Sequence, residues 1–376
     1  MAEPFKNLLN KQIIKAMATH FHNQWSSFDT KGFVATATQD LELLELSQRT
    51  ERITDTMIQY LPGDFEKAAQ IMLGSLGSVL SGSVTKRPAD KTGIAGWAVM
   101  PLANYVGLRG HAHFDLSMSL FKEMTKRASS EFGIRYFLLK SPAKTLSVLK
   151  TWATDDCVHV RRLVSEGIRP RLPWSMNLPV FIKDPQPVIE LLELLKDDDQ
   201  EYVRRSVANN LNDIAKDHPE VVAEIASRWI KGASEPRKKL VKHACRTLVK
   251  QGHKKTLSVL GFKPPKLKQV SLEILTPKVV FGDAASFTLS ISSDFHQDQA
   301  LMIDYIIHHR KANGSTLPKV FKWRQTTLPA NETLVSTKKH PIKKITTRVY
   351  YPGMHTVEVM VNGISVGRAD FQLLMP

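Results

Sequence analysis

Three carboxylates, a tryptophan and a set of arginines are spaced so that they could act together. At 100° per residue, Val203, Val207, Leu211 and Ile214 fall on one side of a helix. Arg205, Asn209, Asn212 and Lys216 fall opposite, with Asp213 at the edge of that polar stripe. A solvated helix face usually carries Lys and Glu. Two asparagines, an aspartate and two cations suit a ligand surface, although a capped, exposed face with turn-forming Asn near its end has the same composition. Upstream, Glu166-Gly167-Ile168-Arg169-Pro170-Arg171-Leu172-Pro173-Trp174 places two arginines and a tryptophan in a segment stiffened by prolines. It either presents Arg and Trp beside a carboxylate or is a structured loop whose Trp packs on the next helix. Glu131 stands four residues before Arg135, so on a helix the two share a face, a spacing that also describes a surface ion pair. Carboxylates can stabilise developing positive charge, a tryptophan face attracts cations, and arginines hold phosphates.

The elements that position these residues repeat. Asp155-Asp156-Cys157-Val158-His159-Val160-Arg161-Arg162-Leu163-Val164-Ser165-Glu166 returns 43 residues later as Asp198-Asp199-Gln200-Glu201-Tyr202-Val203-Arg204-Arg205-Ser206-Val207-Ala208-Asn209. Each copy has an acidic turn able to cap a helix, then Val-Arg-Arg, then an apolar stripe. A looser third copy follows at Arg237-Lys238-Lys239-Leu240-Val241-Lys242-His243-Ala244. Periods of about 34 to 47 residues with a helix pair per unit mark a helical solenoid of the HEAT kind. The shift puts Glu166 where Asn209 lies, so Glu166 and Asp213 are expected on the same side of adjacent repeats. In each Arg-Arg pair at least one side chain is expected to be structural, because neighbouring helix positions point about 100° apart.

Amphipathic helices are also expected from residue 4 to about 73, with Phe5, Leu8, Leu9, Ile13 and Ile14 on one stripe. The Gly- and Ser-rich stretch Gly74 to Gly93, with Lys86-Arg87-Pro88, reads as a long loop that either lies over a ligand or is a mobile surface loop. After Gly261-Phe262-Lys263-Pro264-Pro265 the hydrophobic period changes from 3.6 to 2. Strands are expected at Val270–Leu275, Ser286–Ser292, Leu301–His308, Lys319–Thr326, Thr333–Lys338, Thr347–Tyr350, His355–Val361 and Ile364–Leu374. Asn362-Gly363 between two alternating runs signals a two-residue hairpin. The expected fold is mainly α with a C-terminal all-β domain: a solenoid over 1–260, a linker over 261–269 and an immunoglobulin-like β-sandwich over 270–376. Lys338, Lys339, Lys343, Lys344 and Arg348 are expected to cluster in one loop region of the sandwich.

The 376 residues carry a net charge of +16, and the pI is near 9.7. Both point to an anionic partner, nucleic acid first and an acidic membrane surface second. The two cysteines, Cys157 and Cys245, give neither a disulfide framework nor a metal spacing and suit a reducing cytoplasm. His20-Phe21-His22 and His111-Ala112-His113 lack carboxylate partners at metal-site spacing. The N-terminus lacks a signal-peptide layout, and the apolar stretch Ile94 to Leu108 is too short to span a bilayer. No P-loop, Rossmann fingerprint or zinc-deaminase motif is present.

Gly96-Trp97, Pro101-Leu102, Ser130-Glu131-Phe132-Gly133-Ile134-Arg135, the run Val160 to Gly167, Arg169-Pro170-Arg171-Leu172-Pro173-Trp174 and Val207 to Asp213 resemble the AlkC-type bacterial DNA alkylation-repair glycosylases. The order and spacing agree along essentially the whole chain, with Tyr136 departing from an expected proline. The resemblance implies a HEAT-like solenoid that grips damaged duplex DNA on its concave face, and a sandwich that helps encircle it. It implies hydrolysis of the N-glycosidic bond of cationic N-alkylated bases such as 3-methyladenine and 3-methylcytosine, without drawing the base into a pocket. Glu131, Glu166 and Asp213 match the family's acids and Trp174 its aromatic. With them go the candidate DNA contacts Arg161, Arg162, Arg169, Arg171, Arg204, Arg205, Asn209, Asn212 and Lys216, the arginines serving in DNA contact or local ion pairing. No metal or cofactor is expected, and the protein is expected to be a cytoplasmic, nucleoid-associated monomer. A silent binder of bent or damaged DNA and a protein-interaction scaffold are the rival readings.

Overall fold

The computed structural model describes residues 4–79 and 92–375. Most of the Gly74 to Gly93 stretch, including Lys86-Arg87-Pro88, lies outside the described residues. Two compact units are formed, Met1–Asp217 with Ala233–Ala244, and His218–Gly232 with Cys245–Pro376.

The first unit holds α1 (Lys11–Gln24), α2 (Thr30–Thr38), α3 (Leu46–Tyr60), α4 (Phe65–Gly74), α5 (Val99–Arg109), α6 (Phe114–Thr125), α7 (Ile134–Lys140) and α8 (Pro142–Trp152). It continues with α9 (Val158–Gly167), α10 (Pro179–Lys183), α11 (Gln186–Leu195) and α12 (Glu201–Ile214). After α13 (Pro219–Trp229), which belongs to the second unit, α14 (Glu235–Ala244) completes the first. Helix starts follow local chemistry. Asn10, Asp29 and Asp64 accept the backbone N–H three residues on and cap α1, α2 and α4. The cap at Asn10 divides the expected N-terminal stripe: Phe5–Leu8 is a separate 3₁₀ turn, and only Ile13 and Ile14 lie in α1.

The repeat is visible atom by atom. Asp155 Oδ1 accepts from Cys157 N, and Asp198 Oδ1 accepts from Gln200 N, both at 2.9 Å. Arg161 donates back to the Asp155 carbonyl and Arg204 to the Asp198 carbonyl. The first arginine of each pair therefore closes its own turn. Helix α9 packs on α12 and α12 on α14. Between them Val160, Leu163, Val164, Val203, Val207, Leu211, Leu240 and Val241 are buried. Each contributes about 1.5–3 kcal/mol when fully buried.

The second unit adds α15 (Arg246–Lys250) and α16 (Lys254–Val259) to eight strands: β1 (Leu267–Ile274), β2 (Lys278–Val280), β3 (Ala284–Ser293), β4 (Gln299–Arg310), β5 (Thr316–Leu328), β6 (Thr333–Pro341), β7 (Gly353–Val361) and β8 (Ile364–Leu374). They form one sheet in the order β1-β3-β6 and another in the order β2-β8-β7-β4-β5. All pairs are antiparallel except β2 with β8. Alternate residues such as Phe287, Leu289, Ile291, Ile303, Tyr305, Val357, Val359 and Phe371 fill the core.

Two sequence expectations need correction here. Thr347–Tyr350 is not a strand: an isolated bridge between Ile345 and Arg348 closes a tight turn, and Tyr350 then enters the core. Lys338 and Lys339 lie on β6, apart from the loop lysines. The hairpin forms at Asn362-Gly363, with both residues at positive φ (48° and 78°). Asn362 is buried, and its side chain accepts from Met302 N and donates to the carbonyls of Lys263 and Ala300. Against this turn packs Gly252, where an added Cβ would sit 3.0 Å from Gly363 Cα.

Candidate active site

Helices α9 and α12, with the loops on either side of α7 and α9, bring carboxylates and cations into one alternating row. Arg162 Nη1 donates to Glu131 Oε2 at 2.6 Å, and its Nη2 lies 3.4 Å from Glu166 Oε1. Arg169 Nη1 donates to Glu166 Oε1 and Arg169 Nε to Asp213 Oδ2, both at 2.7 Å. Lys216 Nζ completes the row at 3.0 Å from Asp213 Oδ1. The two carboxylates from adjacent repeats thus share one guanidinium. Glu166 and Asp213 are 4% and 2% exposed. The second Glu166 oxygen accepts from Ser206 Oγ at 2.6 Å, and Ser165 Oγ donates to Ser206.

Burial works against ionisation of Glu166, but Arg162, Arg169 and the Ser206 hydroxyl outweigh it and hold the carboxyl below its ordinary range. Burial likewise disfavours charge on Arg169, yet Glu166 and Asp213 raise its pKa. Pairing within the row thus favours the charged forms of Glu166 and Arg169 although both are buried.

Arg135 departs from expectation. Gly133 precedes α7, so Glu131 lies in a turn before the helix and the two residues do not share a helix face. Arg135 is fully buried and donates to the carbonyls of Gly167, Arg169 and Met176. It clamps both ends of the Pro-rich segment. Burial and the nearby Arg169 push its pKa down to about 10. Trp174, at the tip of that segment, has φ +62° and is 63% exposed. A tryptophan in left-handed backbone is strained by about 1–3 kcal/mol. Its ring meets Phe5 at 5.7 Å, and Phe5 meets Trp97 at 5.9 Å.

The remaining candidates divide. Arg161 pairs with Asp198 and Asp199. Arg171 forms a two-pronged pair with Asp217. Asn212 is buried, not on an open face, because α9, α11 and α14 surround α12. Asn209 is half-buried and meets His243 Nε2 at 3.0 Å. Only Arg205 and Lys216 of the expected polar stripe stand exposed. Arg204 and Arg205 line a groove of about 300 Å³ with Lys239 and His243 of α14. Sequence reasoning missed Ser206, Tyr202, Lys239 and His243 as site neighbours. The 34-residue step from Val203 to Arg237 could have found the last two, since it sets α14 beside α12. Among the described residues, no group of three or more His, Cys, Asp or Glu is placed to hold a metal ion, and no helix is long and apolar enough to cross a membrane.

A helical repeat region with a buried row of paired carboxylates, followed by an immunoglobulin-like sandwich, defines a two-part helical-repeat protein. Residues 268–375 match the family model described as the C-terminal Ig-like domain of the uncharacterised protein YhaZ. YhaZ of Bacillus subtilis (strain 168) is 35% identical over 370 residues, 98% of this chain and 99% of YhaZ. The Pseudomonas fluorescens alkylpurine DNA glycosylase AlkC, bound to DNA containing an abasic site analog, superposes with a TM-score of 0.85 at 32% identity. The match covers 99% of this chain and 100% of that one. The chain belongs to the AlkC-like family.

Proposed function

We propose that the protein is a DNA glycosylase of base excision repair that hydrolyses the N-glycosidic bond of cationic N-alkylated bases, 3-methyladenine and 3-methylcytosine, in duplex DNA. The observation that carries this reading is the shared grip of Asp213 and Glu166 on Arg169, in a chain similar over its full length to AlkC. An N3-alkylated base already bears positive charge and departs without a general acid. Positive charge then builds on the deoxyribose. Asp213 is the principal carboxylate that stabilises it, and Glu166 and Glu131 support that charge and position the attacking water. Trp174 offers its exposed face to the cationic base or sugar, an attraction of roughly 0.5–2 kcal/mol. Arg205 and Lys216, exposed on α12 and just after it, hold phosphates, while Arg162 and Arg169 keep the acids in place and Arg161 braces the turn at Asp198 and Asp199. The helical repeats before Gly261 carry binding and catalysis, and the sandwich that begins with β1 at Leu267 follows a short link. In this reading the enzyme works as a cytoplasmic, nucleoid-associated monomer, with no metal or cofactor in the reaction.

The test is release of free base from methylated duplex DNA by wild type and Asp213→Asn. Wild type is expected to release 3-methyladenine and 3-methylcytosine, and Asp213→Asn to be slower by at least a hundredfold. Unchanged DNA binding without release from either protein would turn the reading to a silent DNA binder.

A further inference from the structure

Trp174 is held by its backbone more firmly than by its ring. Arg135 ties down the segment on either side of it. The indole itself is mostly exposed. A recess of about 320 Å³ lies against it, lined also by Pro4, Phe5, Leu46 and Met100. A side chain with open space beside it can occupy several staggered wells unless a neighbour selects one. Among the described residues that neighbour is Phe5, whose ring centre lies 5.7 Å from the indole at an interplanar angle of 57°. Phe5 also meets Trp97 at 5.9 Å.

Phe5 stands in the turn Phe5–Leu8, none of whose residues is buried. The turn is nonetheless fixed. Arg49 Nη1 donates to the Lys6 and Leu9 carbonyls, each at 3.0 Å, and Arg49 Nε donates to the Leu44 carbonyl. Asn10 Nδ2 donates to the Asn7 carbonyl while its Oδ1 caps α1. Lys6 pairs with Glu45 at 2.6 Å. Burying a guanidinium is costly, and Arg49 and Arg135 are the largest wholly buried side chains among the described residues. Each donates to carbonyls of an irregular segment, in the rigid fork that a guanidinium offers. Each segment carries one ring of the Phe5–Trp174 pair.

We propose that Phe5 is a positioning residue for Trp174: it braces the indole from the turn before α1 and selects the face that Trp174 turns to the damaged nucleotide. The catalytic consequence rests on the proposed role of Trp174, whereas the brace does not.

The experiment has an arm without DNA and an arm with it. In the first, the six tryptophans of the full-length protein are replaced by 5-fluorotryptophan and read by fluorine NMR. The Trp174 signal is assigned by its loss in Trp174→Phe. Phe5→Ala is expected to shift the Trp174 and Trp97 signals and to leave those of Trp152, Trp229 and Trp323 in place, while Phe5→Tyr keeps all of them. In the second arm, Phe5→Ala is expected to lower kcat for base release roughly two- to tenfold, the range of one aromatic pair, with KM unchanged. Phe5→Tyr restores kcat. If Phe5 acts through the indole, Phe5→Ala with Trp174→Ala is no slower than Trp174→Ala alone. Circular dichroism checks folding, and Phe5→Leu, which keeps an apolar side chain without the ring, carries both arms if Phe5→Ala does not fold. An unmoved Trp174 signal, losses that multiply in the double variant, or a raised KM with kcat unchanged overturns the inference. No base release from wild type would sink the glycosylase reading instead, and the signal of Trp174 in DNA-free protein then decides the brace by itself.

Discussion

Arg169 holds two buried carboxylates at once, so its loss takes a 2.7 Å partner from each and leaves only Arg162 for Glu166 and Lys216 for Asp213. Breaking a buried pair by removing one partner costs about 3–5 kcal/mol. Arg169→Met is expected to lose stability of that order in urea unfolding. Adding Asp213→Asn to it should cost less than the sum of the two single changes, because the neutral amide no longer needs the cation. Strict additivity would show that the shared guanidinium does not couple them. Trp174 predicts the opposite sign. Its left-handed backbone suits glycine, so Trp174→Gly should leave the unfolding temperature unchanged or raised while base release falls. A fall in both would mean that the ring serves packing.

At the scale of elements, the Asn362-Gly363 turn joins two roles in one residue. Asn362→Ala removes three side-chain hydrogen bonds and puts Ala at positive φ, a loss of roughly 3 kcal/mol. Asn362→Gly should restore the part due to the backbone, as equilibrium unfolding would show. This turn was legible in the sequence because two-residue hairpin chemistry is local. So was the step between α9 and α12, which rests on a repeated acidic turn and apolar stripe. Strand β2 was not: three residues that pair in parallel with a strand about ninety positions later carry no local pattern. Nor was the role of Arg135, whose acceptors are carbonyls 32 to 41 residues away and leave no mark in side-chain spacing. Glu131 was misplaced because its i,i+4 relation to Arg135 assumed a helix that starts three residues later. The carboxylate row itself was only half readable. The 43-residue shift aligned Glu166 with α12, but the shared guanidinium depends on how the Pro-rich segment folds back.

Across the whole molecule, acid acts on the two units in turn. In the sandwich, burial with Arg348 nearby lowers His309 to about 3 and His340 to about 4. The unfolded chain binds those protons near 6.5, so stability of the sandwich should fall as pH drops from about 6.5 toward 3. Glu166 acts lower: its folded pKa is depressed, so its contribution is present above the ordinary carboxylate range and lost as pH falls through the folded value. Unfolding followed at Trp323, which packs against the sandwich core, should therefore show acid loss first. A flat response between pH 6.5 and 4 would sink this account. The Asn362 amide bonded to Lys263 has one more consequence, for the chain as it is made. The helical unit has all its residues once Ala244 leaves the ribosome. The second unit cannot close until β8 has emerged to pair with β2 and β7, and Asn362 has reached back to Lys263. At ~5–20 residues per second that wait is roughly ten seconds. During it β1 and β3 are nascent strands without their sandwich, whereas α13, synthesised before α14, waits only for α16.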